Sequence, residues 1–212
     1  MNRNVKIAVI GSAAVILIII IALGVSITNK LAPSNEVMML TDYYQVDDTE
    51  VLVILQDKIY EKKGMLLDGV IYLDYETIVQ EFNHRFYWDS NENILTYTTP
   101  DEILQVEAES MNYSVTKSTI KTNAAADYQI VKVFADQVYI ALDFVEKYSD
   151  MTFQYYENPN RIVINNQWGD YLFTEVTKNT QLRREASIKS PILMQLTEDT
   201  SLKYVDLEEA PA

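Results

Sequence analysis

The chain has no cysteine, and only one histidine, five glycines and five prolines among its 212 residues. Without cysteine there is no disulfide, no thiolate metal ligand and no sulfur nucleophile. A lone histidine leaves no Ser/His/Asp set to choose from. His84 stands before Arg85 at the end of a helical pattern, where an imidazole more readily satisfies helix carbonyls than performs acid–base work. The few glycines form no phosphate-cradling loop. Positive charge is scarce as well, with 17 basic residues against 31 acidic ones and a formal net charge of −14. Such a balance disfavours nucleic acid, whose binding is led by cationic contacts to phosphate, and docking on anionic lipid.

Other candidate chemistry reduces to ordinary surface. Asp89, Asn91 and Asn93 alternate like the opening of a calcium loop, but the sixth and twelfth places hold Ile94 and Pro100 where glycine and glutamate are needed. The segment therefore reads as a hairpin turn. Asp47, Asp48, Glu50, Glu107, Glu109, Glu208 and Glu209 fall in linkers or at strand edges and read as solvated carboxylates rather than a hydrolytic pair. No catalytic residue, metal site or cofactor is expected. Fifteen tyrosines and two tryptophans remain. Tyr87, Trp88, Tyr155, Tyr156 and Trp168 are the candidates for stacking on a glycan, although core or half-buried sheet packing is the favoured reading.

One long apolar run is present. From Ile7 to Ile27 the chain reads IAVIGSAAVILIIIIALGVSI, without a charge. As a helix it spans about 30 Å, the thickness of a bilayer core. Arg3 and Lys6 precede it, and Glu36, Asp42, Asp47, Asp48 and Glu50 follow. The positive-inside bias then predicts a single-pass anchor through the lipid bilayer, with the N-terminus cytoplasmic and the remainder extracytoplasmic. A cleaved signal peptide is the rival, but its apolar core is usually about 7–15 residues. Apart from Arg3, Lys6 and Lys30, 14 basic residues face all 31 acidic ones.

Beyond the anchor the chain echoes itself. VIYLDYETIVQEFNHRFYWDSNENILTY, starting at Val70, aligns without a gap on QVYIALDFVEKYSDMTFQYYENPNRIVI, starting at Gln137. Tyr72 falls on Tyr139, Ile78 on Val145, Phe86 on Phe153, Trp88 on Tyr155 and Leu95 on Ile162. Each copy switches from a short apolar strand to a helical face and then to a hairpin, and Asp74 is the predicted N-cap of the first helix. Residues 117–127, KSTIKTNAAAD, read as a polar loop. The expected class is α+β: a transmembrane helix, a duplicated strand–helix–hairpin domain and a partial all-β segment. The boundaries are 1–30 for tail and anchor, 31–50 for a linker, 51–168 for the duplicated domain and 169–212 for the last module.

The blocks DGVIYLDYETIVQEF, FYWDSNENILTYTTP and QVYIALDFVEKYSDMTFQYYENPNRIVI, followed by TEVTKNTQLRREASIKSPIL, resemble a copper amine oxidase N-terminal-like domain leading into a bacterial SH3-like module. That order is similar to membrane-anchored proteins of Firmicutes, Clostridia in particular, which often continue into a family 18 glycoside hydrolase. Despite its name, the domain implies no copper site. The resemblance implies a non-catalytic, cell-wall-associated stalk or adaptor, with peptidoglycan or another wall glycan as partner. The alternative is the front portion of a family 18 glycoside hydrolase. That enzyme's barrel needs about 250 residues and has no place in this chain.

Overall fold

The computed structural model describes residues 21, 23–26, 30–167 and 172–204. The expected anchor from Ile7 to Ile27 lies mostly outside these residues. Of that stretch only 21 and 23–26 are described, and they are helical. Among the described residues no helix is long and apolar enough to cross a membrane.

The chain divides into two compact units. The larger begins at Leu40 and runs to Leu172. It opens with β1 (Glu50–Leu55), β2 (Lys58–Ile59), β3 (Gly64–Leu67) and β4 (Val70–Asp74). After the helical residues Tyr75–Thr77 and Ile78–Phe82 come β5 (Phe86–Asp89), β6 (Ile94–Thr98), β7 (Glu102–Glu107), β8 (Asn112–Lys117) and β9 (Ile120–Ala125). The second copy follows as β10 (Val131–Phe134), β11 (Gln137–Ala141), the helix Leu142–Tyr148, β12 (Thr152–Tyr156) and β13 (Arg161–Asn165).

The α+β expectation is corrected: the described residues are mostly β, with 45% of them in strand. The helical segments are too short to form a layer. In the first copy the helix is a three-residue α turn that widens into a five-residue π segment, closed by Asn83 N–H donating to the Ile78 carbonyl at 2.8 Å. In the second it is seven residues long. Strand also replaces the expected loop at 117–127, where β8 turns into β9 through Ser118 and Thr119, both at positive φ.

The thirteen strands pair into two sheets. β5 to β9 form an antiparallel meander in sequence order. The other sheet runs β10-β11-β4-β3-β1-β13-β12, with β2 beside β1. β1 pairs antiparallel with β3 and parallel with β13. Val51, Leu52 and Val53 are all buried, as expected for a central strand covered on both faces. On the meander only alternate residues are buried, Leu95 and Tyr97 on β6 and Leu104 and Val106 on β7, so one face carries the core.

The two copies meet in the larger sheet at the β4–β11 ladder, one strand in from its β10 edge. β4 and β11 pair antiparallel with Leu73 opposite Ile140, Tyr72 opposite Ala141 and Asp74 opposite Tyr139. Leu73 and Ile140 are equivalent positions in the repeat, so this ladder has a local pseudo-twofold axis at that pair. The equivalence extends outward. β3 pairs with β4 through Met65–Tyr72, Leu66–Ile71 and Leu67–Val70, and β10 pairs with β11 through Lys132–Tyr139, Val133–Val138 and Phe134–Gln137, the same register one copy on. Both hairpins turn on two residues at positive φ, Asp68–Gly69 and Ala135–Asp136. Ile78 and Val145, equivalent positions on the helical segments, are fully buried in the one core.

The smaller unit contains residues up to Met39 and Phe173–Leu202. β14 (Leu172–Glu175) pairs with β17 (Ser201–Tyr204), and β15 (Thr180–Arg183) pairs with β16 (Ile192–Leu196). Residues of the expected linker are built into it. Ser34 N–H donates to the Ile188 carbonyl at 2.7 Å, Met38 N–H donates to the Ile192 carbonyl at 2.9 Å, and Val37 bridges Ile192 in parallel. The Arg183 guanidinium donates to the carbonyls of Ser34 at 3.0 Å and Ser190 at 2.7 Å.

Candidate functional site

The stacking candidates are dispersed by strand alternation. Tyr87 points away from the core on β5 and is 62% exposed, while Trp88 on the opposite face packs against the core. Tyr155 stands at the equivalent position on β12 and also packs against the core, with its hydroxyl donating to Asn160 Oδ1 at 2.7 Å. Tyr156 points the other way, beneath the Arg161 guanidinium at 4.8 Å, and donates to Gln154 Oε1 at 2.6 Å. β5 and β12 edge two different sheets, so the four rings do not assemble into one platform. Trp168 lies outside the described residues.

The expected turn at Asp89 is present. The Asp89 Oδ1 accepts from the backbone N–H groups of Asn91 at 2.9 Å and Glu92 at 3.3 Å, and Asn93 has positive φ. His84 is exposed on the turn before β5. Among the described residues no group of three His, Asp or Glu side chains stands close enough to hold a metal ion.

One concavity among the described residues is not marked by any motif in the sequence. It is a cleft of about 420 Å³ at one end of the β4–β11 ladder, lined by Lys62, Lys63, Asp74, Glu76, Asp136 and Tyr139 among others. Asp74 is its fixed point. One carboxylate oxygen accepts from Thr77 N–H at 3.1 Å, capping the helical turn, and the other from the Thr77 hydroxyl at 2.5 Å. Lys62 Nζ reaches Asp74 at 3.0 Å and Glu76 at 3.1 Å. Burial pushes the Asp74 carboxyl up, but the Thr77 hydroxyl, the Lys62 ammonium and the Thr77 N–H outweigh it, and its pKa ends below the ordinary value. The hydrogen bond to Asp74 raises the pKa of Lys62 against the opposing effect of burial. Lys63 Nζ contacts Glu50 at 2.5 Å and lowers its pKa.

This is an arrangement of mutually neutralised charge. Asp74 is held ionised and the Lys62 ammonium is shared between two carboxylates, so neither is poised as a general acid or base near neutral pH. The counterpart at the other end of the ladder is closed. Tyr72, the repeat mate of Tyr139, is buried, donates its hydroxyl to the Gln129 carbonyl at 2.8 Å and lies under Lys132 at 5.8 Å. Burial pushes the Tyr72 hydroxyl up to about 12. The pairing of Asp74 with Tyr139 is a long-range register that the repeat alignment alone does not give, which is why the cleft was not legible.

Compared with known protein families, curated proteins and solved structures, the chain matches none of them.

Proposed function

We propose that the chain is a membrane-tethered extracytoplasmic adaptor at the cell wall, without catalysis of its own. The observation that carries this reading is the uncharged run from Ile7 to Ile27, with Arg3 and Lys6 before it and an acidic β-rich region after it. The folded region supports a scaffold role. Its two copies spend their central strands on each other, and their equivalent aromatics Trp88 and Tyr155 pack on the core. The resemblance to the copper amine oxidase N-terminal-like domain with a following SH3-like module supports the same reading, and it makes a wall glycan such as peptidoglycan the partner to test.

The test has two arms. Protease added to intact protoplasts that carry the full chain removes the part beyond the anchor. The full chain in detergent is retained on purified cell wall and releases no reducing sugar. Full protection from protease reverses the proposed orientation. Sugar release that disappears when one carboxylate is changed to its amide overturns the adaptor and favours a glycoside hydrolase.

A further inference from the structure

We propose that β10 is a strand-accepting edge for a second copy of this chain, and that Glu109 keeps it closed. β10 is the last strand of the larger sheet on its side, whereas its repeat mate β3 is covered by β1. On the β3 edge, Leu66 N–H donates to the Thr49 carbonyl at 2.8 Å. On the β10 edge the equivalent donor, Val133 N–H, donates instead to the Glu109 carboxylate at 3.0 Å. Glu109 also donates its own N–H to the Val131 carbonyl at 2.8 Å. One residue thus makes a donor and an acceptor contact to this edge, as a paired strand would.

Glu109 is built to stay there. It sits in the turn between β7 and β8 at φ 59. Its carbonyl accepts from Gln129 Nε2 at 3.0 Å, and Ala108 N–H ties the turn to the Asn93 carbonyl at 2.9 Å. Beyond the carboxylate the edge is apolar and open, with Val133 41% and Phe134 65% exposed. An exposed apolar edge is a template for strand addition, and an inserted charge is a recognised way of blunting it.

The occupant follows from the strand itself. In an antiparallel strand the N–H and C=O of one residue point to the same side, so Val133 offers both outward. Two copies of β10 related by a twofold axis at Val133 exchange both bonds there. Lys132 then stands opposite Phe134 of the second copy, with no like charges opposed. The sister edge shows that this geometry accepts an antiparallel strand of the same chain.

The test uses the full chain in detergent. Glu109→Gly removes the carboxylate at a positive-φ position that glycine occupies without strain. Glu109→Asp keeps the charge on a shorter stem and gives a second variant that withdraws the acceptor. Glu109→Gln keeps an acceptor oxygen. Loss of a hydrogen bond to a charged group is expected to lower the concentration at which dimers sediment by at least about tenfold. Hydrogen exchange of the β10 peptide should quicken in dilute Glu109→Gly, Glu109→Gln should stay close to the parent, and adding Phe134→Lys to Glu109→Gly should restore the monomer. A Glu109→Gly chain that stays monomeric over the same range overturns the proposal. So does association that Phe134→Lys does not reverse, or a Glu109→Gln chain that associates as strongly as Glu109→Gly.

Discussion

Gly64 shows how a single position distinguishes the two copies. It opens β3 against β1, and a Cβ there would lie 2.8 Å from Leu73 Cδ2 and 2.9 Å from the Tyr72 carbonyl oxygen. The second of these is backbone of β4, held between β3 and β11, and has no room to yield. The repeat mate is Val131, fully buried at an edge that no β1 equivalent covers. Gly64→Ala is expected to destabilise the larger unit by roughly 1–3 kcal/mol as an overpacked core site, read as a lower midpoint of urea unfolding. An unchanged midpoint would mean that β1 and β3 are not packed as described. Residue-scale chemistry was partly legible in the sequence. The turn at Asp89 follows from its Asp, Ser and Asn content, and the pairing of Trp88 with Tyr155 from the repeat. Glu109 was not legible. It reads as one more surface carboxylate until the fold brings the β7–β8 turn to the edge of β10.

At the scale of elements, the repeat alignment identified a strand, a helical segment and a hairpin in each copy, and each occurs at the same offset. Two boundaries were hidden. The repeated unit begins at Gly64 and Val131, earlier than the alignment suggests, because Ala135–Asp136 lacks the usual composition of a two-residue turn while adopting its positive φ values. β9 lies where the sequence predicts a loop: its side chains are almost all exposed, so no apolar alternation marks it. The mostly-β outcome has the same cause: short strands with polar faces give weak signals, whereas one apolar helical face gives a strong one. The cap of the first helical segment offers a test. Asp74→Ala is expected to cost about 1 kcal/mol. The folded pKa of Asp74 is depressed, so its contribution is complete above the unfolded value of about 4 and is lost as pH falls through the folded value. Asp74→Asn should keep much of the cap yet weaken the acid dependence of stability. A parent and an Asp74→Asn variant with identical stability slopes below pH 4 would remove Asp74 from that dependence.

At the scale of the whole molecule, the larger unit is one core shared by two copies rather than two domains in series. Leu73 and Ile140 stand opposite each other at the pseudo-twofold axis, and both are buried. A double-mutant cycle with Leu73→Ala and Ile140→Ala, followed by urea unfolding, tests this most directly. Each single change should cost about 2–5 kcal/mol. The double variant should depart from additivity by more than about 0.5 kcal/mol, with a single transition for both copies. Additivity within about 0.3 kcal/mol, or two transitions that each respond to one substitution, would contradict a shared core built by pairing the copies.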